Sequence, residues 1–287
     1  AGTPRPAGLT VGRVGAFTAG CLLVSNMIGT GIFGTTGFMA ADLGSPAWIL
    51  ALWVAGAAFS LLGAFSYGEL GAALPRSGGE YVYIREAYGP LWGFLSGWAS
   101  LTIGFSAAIA SAAHLFAQHF QELLLAIGVG AGAASWLTGD VPLALAMVWA
   151  LTLVHVAGVG AGGFVQRLLT VLKVGAIGIL ILAGLALGDG QWGKLARPDR
   201  SVSFGAETLL VSFMFVTFSY SGWNAASYIA AEIRSPERNL PRAMIWGTLT
   251  VGAIYFLLNL VYLYALPIAG LAAPPIELVG QKSAMAL

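Results

Sequence analysis

Two apolar stretches of the chain carry glycine and polar residues at their centres. The first reads Ser25-Asn26-Met27-Ile28-Gly29-Thr30-Gly31-Ile32-Phe33-Gly34, and the second reads Phe218-Ser219-Tyr220-Ser221-Gly222-Trp223-Asn224. Glycine weakens a helix by about 1 kcal/mol relative to alanine, and serine and asparagine compete for its backbone hydrogen bonds. Alone, either stretch could be a patch of close helix packing. Together they predict two broken helices, with Gly29, Gly31 and Gly222 at the breaks.

A pair of helix breaks has the chemistry to bind an α-amino acid through backbone atoms. Where a helix is broken, one half begins with free N–H groups at a positive dipole end, and the other half ends in free carbonyls at a negative end. The predicted carboxylate-binding N–H groups are those of Thr30, Gly31 and Ile32. The predicted ammonium-binding carbonyls are those of Ile28, Phe218, Ser219 and Ser221. No charged side chain is required, and neither stretch contains one.

The composition indicates that a membrane surrounds these stretches. Of the 287 residues, 58% are hydrophobic and 9% are charged, and the mean hydropathy is +0.83. A soluble domain has roughly 25% charged residues, and so apolar a chain cannot hide its surface in a water-soluble core. A net charge of +1 gives no reason to expect a nucleic-acid partner, and the single cysteine, Cys21, excludes an internal disulfide. We expect an integral membrane protein with no catalytic residues, no cofactor and no metal site.

The uncharged stretches between charged residues predict seven membrane-spanning helices, because a helix needs about 20 mostly apolar residues to cross the bilayer. The predicted spans lie between the charged residues at 13–42, 42–69, 86–122, 140–167, 167–189, 207–232 and 242–277. Only the fifth span contains a further charge, that of Lys173. A cytoplasmic N-terminus puts nine of the 13 Lys and Arg residues inside and four outside, which the positive-inside rule favours.

The first and sixth predicted spans, which carry the breaks, are five apart and therefore run in opposite directions. This offset is typical of two inverted five-helix repeats with a substrate site at the midplane, between the broken helices. The predicted segments are a cytoplasmic N-terminus (1–13), the first repeat (14–188), an extracellular loop (189–203), helices six and seven (204–266) and an extracellular loop towards an eighth helix (267–287). Because three helices of the second repeat are then missing, we expect a carrier that is incomplete at its C-terminus.

Four stretches resemble the amino acid–polyamine–organocation superfamily, and within it most closely the L-type amino acid transporter branch. They are Gly29 to Phe33, Tyr67 to Tyr81, Phe218 to Asn224 and Glu232 to Pro241. The resemblance implies an all-α, LeuT-type fold in the cytoplasmic membrane of a bacterium, and amino acid transport by alternating access. It also implies that Phe218 acts as a gate over the substrate. The candidates for the side-chain pocket are Ser25, Asn26, Phe105, Ser106 and Asn224.

The same resemblance bears on the substrate and the partners. Trp223 and Asn224 resemble neutral carriers more than cationic ones, so the expected substrates are neutral L-amino acids. Two alternatives stay open: a carrier for cationic amino acids or polyamines, and a membrane subunit that binds or assembles without transporting. Beside the amino acid and the lipid bilayer, a homodimer or an accessory subunit is also left open as a partner.

Lys173 lies about 13 Å along the fifth span, measured from Phe164 at 1.5 Å per residue. One interpretation is a lysine that snorkels to the inner face of the membrane. The other is a lysine that faces the interior of the bundle, since ionisable residues inside a membrane are usually functional. The resemblance implies that a lysine at this place takes the region where sodium-coupled relatives bind sodium. We therefore expect sodium-independent transport, by an exchanger or a proton-coupled symporter.

Overall fold

A computed structural model describes residues 12, 14–128, 139–156, 158–187, 190, 192–196, 198, 203–266 and 271. Its described part consists of helices, and the only β pairing in it is an isolated bridge between Val14 and Ile233. The α-helices are α1 (Ala16–Met27), α2 (Gly31–Leu43), α3 (Pro46–Ala73), α4 (Glu80–Tyr88), α5 (Pro90–Ala99), α6 (Ser106–Ala126), α7 (Asp140–Val156), α8 (Val159–Leu187), α9 (Ala206–Ser219) and α10 (Pro236–Ala265). A π-helix (Ser100–Phe105) joins α5 to α6, and two 3₁₀ helices cover Trp192–Ala196 and Ala225–Glu232.

Five helical segments are long and apolar enough to cross a membrane. They are Ala16–Leu43, Pro46–Ala73, Pro90–Ala126, Ala161–Leu187 and Pro236–Ala265. Two further apolar helices, Asp140–Val156 and Ala206–Ser219, are shorter. The expected all-α membrane protein is confirmed, whereas the count of seven spans stays a prediction.

The chain divides into two compact units. The first comprises Ala1–Gly79 and Gln166–Leu287, and the second comprises Glu80–Val165. The described helices of the first unit are α1 to α3, α9, α10 and the part of α8 that follows residue 165, and those of the second unit are α4 to α7. The predicted repeat boundaries at 188 and 204 stay predictions. The three predicted segments 1–13, 189–203 and 267–287 lie mostly outside the described residues.

The core of the first unit is built where α3, α9 and α10 meet. Trp53, Tyr220 and Tyr255 are fully buried there. The rings of Trp53 and Tyr255 pack edge to face, with centroids 5.4 Å apart, and the Tyr220 hydroxyl donates to the Trp53 carbonyl at 3.1 Å. Such aromatic pairs contribute about 0.5–1.5 kcal/mol beyond the area that they bury. Tyr220 therefore anchors the residues that follow α9 to the middle of α3.

Short backbone contacts tie the beginning of α1 to the region after the second 3₁₀ helix. The Val14 N–H donates to the Glu232 carbonyl, and the Arg234 N–H donates to the Val14 carbonyl, both at 2.9 Å. The Arg234 side chain also donates from Nε to the Gly12 carbonyl at 3.0 Å. These hydrogen bonds thus join the segment that precedes the first polar stretch to the segment that follows the second.

Candidate functional site

The first break separates α1 from α2. The α1 helix ends at Met27, Ile28 adopts an extended conformation with φ −76° and ψ 92°, and α2 begins at Gly31. An extended residue cannot continue the i to i−4 ladder, so the first N–H groups of α2 have no partner within that helix. The Phe33 N–H is bonded to the Thr30 carbonyl at 3.1 Å. The predicted carboxylate-binding N–H groups of Gly31 and Ile32 therefore lie in the first turn of α2, next to the break at Gly29.

The second break follows α9. The helix ends at Ser219, residues 220–224 form turns, and a 3₁₀ helix begins at Ala225. Gly222 has φ +101°, a conformation that residues with a side chain rarely adopt. The break thus lies at the predicted position. The chain continues after it as a 3₁₀ helix, in which each N–H bonds to the carbonyl three residues earlier.

The two breaks are in direct contact with each other. A Cβ atom at Gly31 would lie 2.6 Å from the Ser219 Oγ, and one at Gly222 would lie 3.0 Å from the Asn26 carbonyl carbon. The hydroxyls of Thr35 and Ser219 are hydrogen-bonded at 2.9 Å. Both glycines therefore permit an approach of backbones that a methyl group would prevent. This approach brings the start of α2 next to the end of α9.

A tyrosine that no motif in the sequence marks, Tyr255, joins the two breaks. The buried Tyr255 hydroxyl on α10 lies 2.6 Å from the Met27 carbonyl and 3.1 Å from the Ser219 carbonyl, and it can donate to either. One turn further along α10, the Asn259 side chain donates from Nδ2 to the Tyr255 carbonyl at 2.7 Å and accepts a hydrogen bond from the Thr36 hydroxyl. Tyr255 and Asn259 thereby hold the end of α1, the end of α9 and the body of α2 to one helix.

Lys173 binds the last carbonyls of α1. Its Nζ donates to the Ile28 carbonyl at 2.8 Å and to the Ser25 carbonyl at 3.1 Å. A cation at the C-terminal end of a helix is stabilised by the helix dipole and by the free carbonyls. The side chain is half-buried, and its ammonium group points to the end of α1. The hydrogen bonds of Lys173 thus run to the neighbouring helix, and its role as a coupling or structural cation stays a prediction.

Lys173 is the last of three polar side chains on one face of α8 that bond to α1. The Arg167 guanidinium donates to the Thr18 hydroxyl at 3.2 Å, and the Thr170 hydroxyl lies 3.2 Å from the Cys21 carbonyl. Residues three apart on a helix share a face, so the series 167, 170 and 173 follows α1 along its length. This series fixes α1 to α8 up to the first break.

Three of the four predicted ammonium-binding carbonyls, those of Ile28, Phe218 and Ser219, already lie within hydrogen-bond distance of a donor. The Ile28 carbonyl accepts from Lys173, the Ser219 carbonyl lies beside the Tyr255 hydroxyl, and the Phe218 carbonyl accepts from the Ser221 N–H at 2.9 Å. A carbonyl oxygen has two lone pairs, so each can accept a second donor. An ammonium group at this site would therefore share these carbonyls with the protein's own donors.

The remaining predicted residues occupy different parts of the structure. Ser25 and Asn26 lie in the last turn of α1, and Asn224 lies directly before the second 3₁₀ helix. Phe218 lies in the last turn of α9, and the residue is 75% exposed. Phe105 and Ser106 belong to the second unit, where the π-helix meets α6. The gate and the side-chain pocket stay predictions. In the described part of the chain, no three His, Cys, Asp or Glu residues come together in a way that could hold a metal ion.

Comparison with known proteins gives a consistent set of relatives. A family model described as amino acid permease matches residues 14–284. The chain is 32% identical over 255 residues to the serine/threonine exchanger SteT of Bacillus subtilis, which covers 88% of this chain and 55% of that protein. It is 30% identical over 258 residues to b(0,+)-type amino acid transporter 1 of Mus musculus; this match covers 87% of this chain and 50% of that protein. It is also 30% identical over 259 residues to Asc-type amino acid transporter 1 of Mus musculus; this match covers 88% of this chain and 48% of that protein. The chain spans about half the length of the curated relatives it matches.

Proposed function

Since the chain belongs to the amino acid permease family, we propose that it binds amino acids between its two helix breaks and transports them by alternating access. The family has a LeuT-type all-α membrane fold, and it and the named relatives are transporters rather than enzymes. The chain is a multi-pass integral membrane protein. A cytoplasmic N-terminus and a bacterial inner membrane belong to the proposal.

The contact between the two breaks is the observation that carries this proposal. The start of α2 offers N–H groups at a positive helix end, and the Gly31–Ser219 contact brings them beside carbonyls at the negative end of α9. The carboxylate of a zwitterionic amino acid binds the N–H groups of Thr30, Gly31 and Ile32. Its ammonium group binds the carbonyls proposed above, those of Ile28, Phe218, Ser219 and Ser221. Phe218 closes over the bound substrate.

The proposed substrates are neutral L-amino acids. Within residues 25–34 and 218–224 there is no charged side chain to complement a charged substrate. The Lys173 ammonium group already binds the carbonyls of Ser25 and Ile28 at the end of α1, and its positive charge near the site disfavours a cationic substrate. The name of the Bacillus subtilis relative, a serine/threonine exchanger, supports both a neutral substrate and exchange.

The proposed transport is independent of sodium. In broken-helix transporters, carbonyls of the unwound segment and of half-helix ends coordinate the coupling cation. Here a lysine ammonium group lies within 2.8 Å and 3.1 Å of two such carbonyls, at Ile28 and Ser25. The lysine supplies the positive charge that a sodium ion would otherwise supply. Coupling is then by exchange or by a proton.

Substrate counterflow in liposomes tests the proposal. The purified gene product is reconstituted with internal unlabelled L-serine, and the entry of labelled amino acids is followed in sodium and in choline buffers. We expect labelled serine and threonine to accumulate equally in both buffers, and labelled lysine to be excluded. Binding of amino acids without any exchange would instead favour the alternative function, a membrane subunit that binds without transporting. Accumulation that requires sodium would contradict the role given to Lys173.

A further inference from the structure

The one β pairing within the described residues joins the segment before α1 to the segment after the second 3₁₀ helix. Val14 and Ile233 form a parallel bridge, and both residues are buried. The Val14 N–H donates to the Glu232 carbonyl, and the Val14 carbonyl accepts from the Arg234 N–H, both at 2.9 Å. Two backbone hydrogen bonds thus fix the register of this pairing, which we call the bridge.

Gly12 lets the two segments approach each other at the edge of the bridge. A Cβ atom at Gly12 would lie 2.5 Å from the Ile233 carbonyl oxygen and 2.7 Å from the Arg234 backbone nitrogen. Because a side chain cannot come so close to backbone atoms, alanine at this position would force the segments apart. The Arg234 Nε also donates to the Gly12 carbonyl at 3.0 Å. By contrast, a Cβ atom at Gly15, three residues later, would meet nothing within 4 Å.

The helices that lead from the bridge to the two breaks also touch at their other ends. A Cβ atom at Gly222 would lie 3.0 Å from the Asn26 carbonyl carbon, so the end of α1 packs against the second break. The α1 helix has 12 residues, which span about 18 Å at 1.5 Å per residue. The second 3₁₀ helix has 8 residues, which span about 16 Å at 2.0 Å per residue. Two helices of similar length are therefore held together at both ends.

We propose that the bridge makes α1 and the second 3₁₀ helix one rigid body, which moves as a whole when the site opens and closes, and that Gly12 is a positioning residue for the site. The α1 helix ends at the first break, and the 3₁₀ helix begins directly after the second. A change in the distance between these helices therefore changes the distance between the breaks. The effect on substrate binding rests on the proposed function, whereas the coupling of the two helices does not.

Hydrogen–deuterium exchange followed by mass spectrometry tests the coupling without a substrate. Gly12→Ala opens the bridge, so deuterium uptake should rise both at the start of α1 and in peptides that cover residues 225–232. Gly15→Ala is the matched control and should leave uptake in residues 225–232 unchanged. Arg234→Met removes only the side-chain bond to the Gly12 carbonyl and should give a smaller rise in the same peptides. A rise in Gly12→Ala that is confined to the start of α1 would overturn the proposal.

Equilibrium binding of labelled L-serine to the purified gene product in nanodiscs tests the positioning role. Gly12→Ala should weaken serine binding by about five- to tenfold, the net effect of about one backbone hydrogen bond, although the whole length of α1 separates Gly12 from the first break. Gly15→Ala should bind serine within about twofold of the unsubstituted protein. Unchanged serine binding in Gly12→Ala, in the presence of raised uptake in residues 225–232, would contradict the positioning role.

A covalent link across the bridge provides a rescue experiment. In a Cys21→Ser background, Val14→Cys and Ile233→Cys place two thiols on paired residues. Paired strands lie about 4.7–4.9 Å apart, which is within the Cα separation that a disulfide spans. The link should leave serine binding and exchange as they are before oxidation, and it should restore serine affinity and low deuterium uptake to Gly12→Ala. Loss of exchange on linking, or no rescue of Gly12→Ala, would overturn the proposal.

Failure of the proposed function gives a different result. If the unsubstituted gene product neither binds nor exchanges amino acids, the proposed function is wrong. Deuterium uptake in Gly12→Ala and Gly15→Ala still decides in that case whether α1 and the second 3₁₀ helix are coupled.

Discussion

Replacing Lys173 with methionine removes the positive charge from the first break while keeping most of the apolar stem. The variant loses two hydrogen bonds, from Nζ to the Ile28 carbonyl at 2.8 Å and to the Ser25 carbonyl at 3.1 Å. Hydrogen bonds between membrane helices contribute about 0.6 kcal/mol on average and up to about 1.7 kcal/mol. The loss is therefore about 1–3 kcal/mol, and it falls on the end of α1.

This loss should appear as weaker amino acid binding, because Ile28 belongs to the segment that separates α1 from α2. If the whole loss is felt at the site, 1–3 kcal/mol corresponds to a decrease in affinity of about 5- to 150-fold. Equilibrium binding of labelled L-serine to the chain in nanodiscs measures it. The unsubstituted protein should bind serine equally in sodium and in choline buffers if, as proposed, the ammonium group takes the place of a coupling cation.

Arg167→Met is the matched control for this substitution. Arg167 lies two turns earlier on the same face of α8 and bonds to α1, but through the Thr18 side chain and far from the break. It should lower stability slightly and leave serine affinity within about twofold. Equal losses of affinity in the two variants, or serine binding that depends on sodium and is unaltered in Lys173→Met, would refute the reasoning.

Three further substitutions probe the contact between the breaks. Tyr255→Phe keeps the ring and removes the hydroxyl that lies between the Met27 and Ser219 carbonyls. We expect a loss of about 1–2 kcal/mol in the free energy of serine binding or of unfolding. The same binding assay and thermal unfolding measure it. Gly222→Ala forces a side chain into a residue with φ +101° and against Asn26, and should lower thermal stability by more than 1 kcal/mol. Gly31→Ala should abolish serine binding because its methyl group would meet Ser219 at 2.6 Å, whereas Gly34→Ala, which would meet nothing within 4 Å, should bind normally.

The positions of the breaks could be predicted from the sequence because their causes are local. Gly29, Gly31 and Gly222 stand beside polar residues within long apolar stretches, and each weakens the helix at its own place. The chain ends α1 at Met27 and α9 at Ser219, within those stretches. For Lys173 the sequence allows two interpretations, a side chain that snorkels to the membrane surface and one that faces the interior, since an isolated lysine in an apolar span can point either way.

The partners of the breaks could not be predicted because they come from distant parts of the chain. Tyr255 is 228 residues away from Met27, and nothing in an apolar span of α10 marks one tyrosine as the one that reaches α1. Asn259 gives a weak signal, since a buried amide in such a span needs a partner. The 3₁₀ helix that follows the second break depends on contacts of residues 225–232 with other segments, among them the hydrogen bond from the Gly78 N–H to the Tyr228 carbonyl at 3.1 Å.

The most direct test of the central claim is whether the site recognises both charged ends of an amino acid. Labelled L-serine bound to the chain is competed with unlabelled L-serine, with 2-aminoethanol, which lacks the carboxylate, and with 3-hydroxypropanoate, which lacks the ammonium group. If the N–H groups at the start of α2 and the carbonyls at the end of α9 form one site, only serine competes, and neither analogue does at a hundredfold higher concentration. Competition by either analogue at concentrations similar to those of serine would contradict a site built from the two helix breaks.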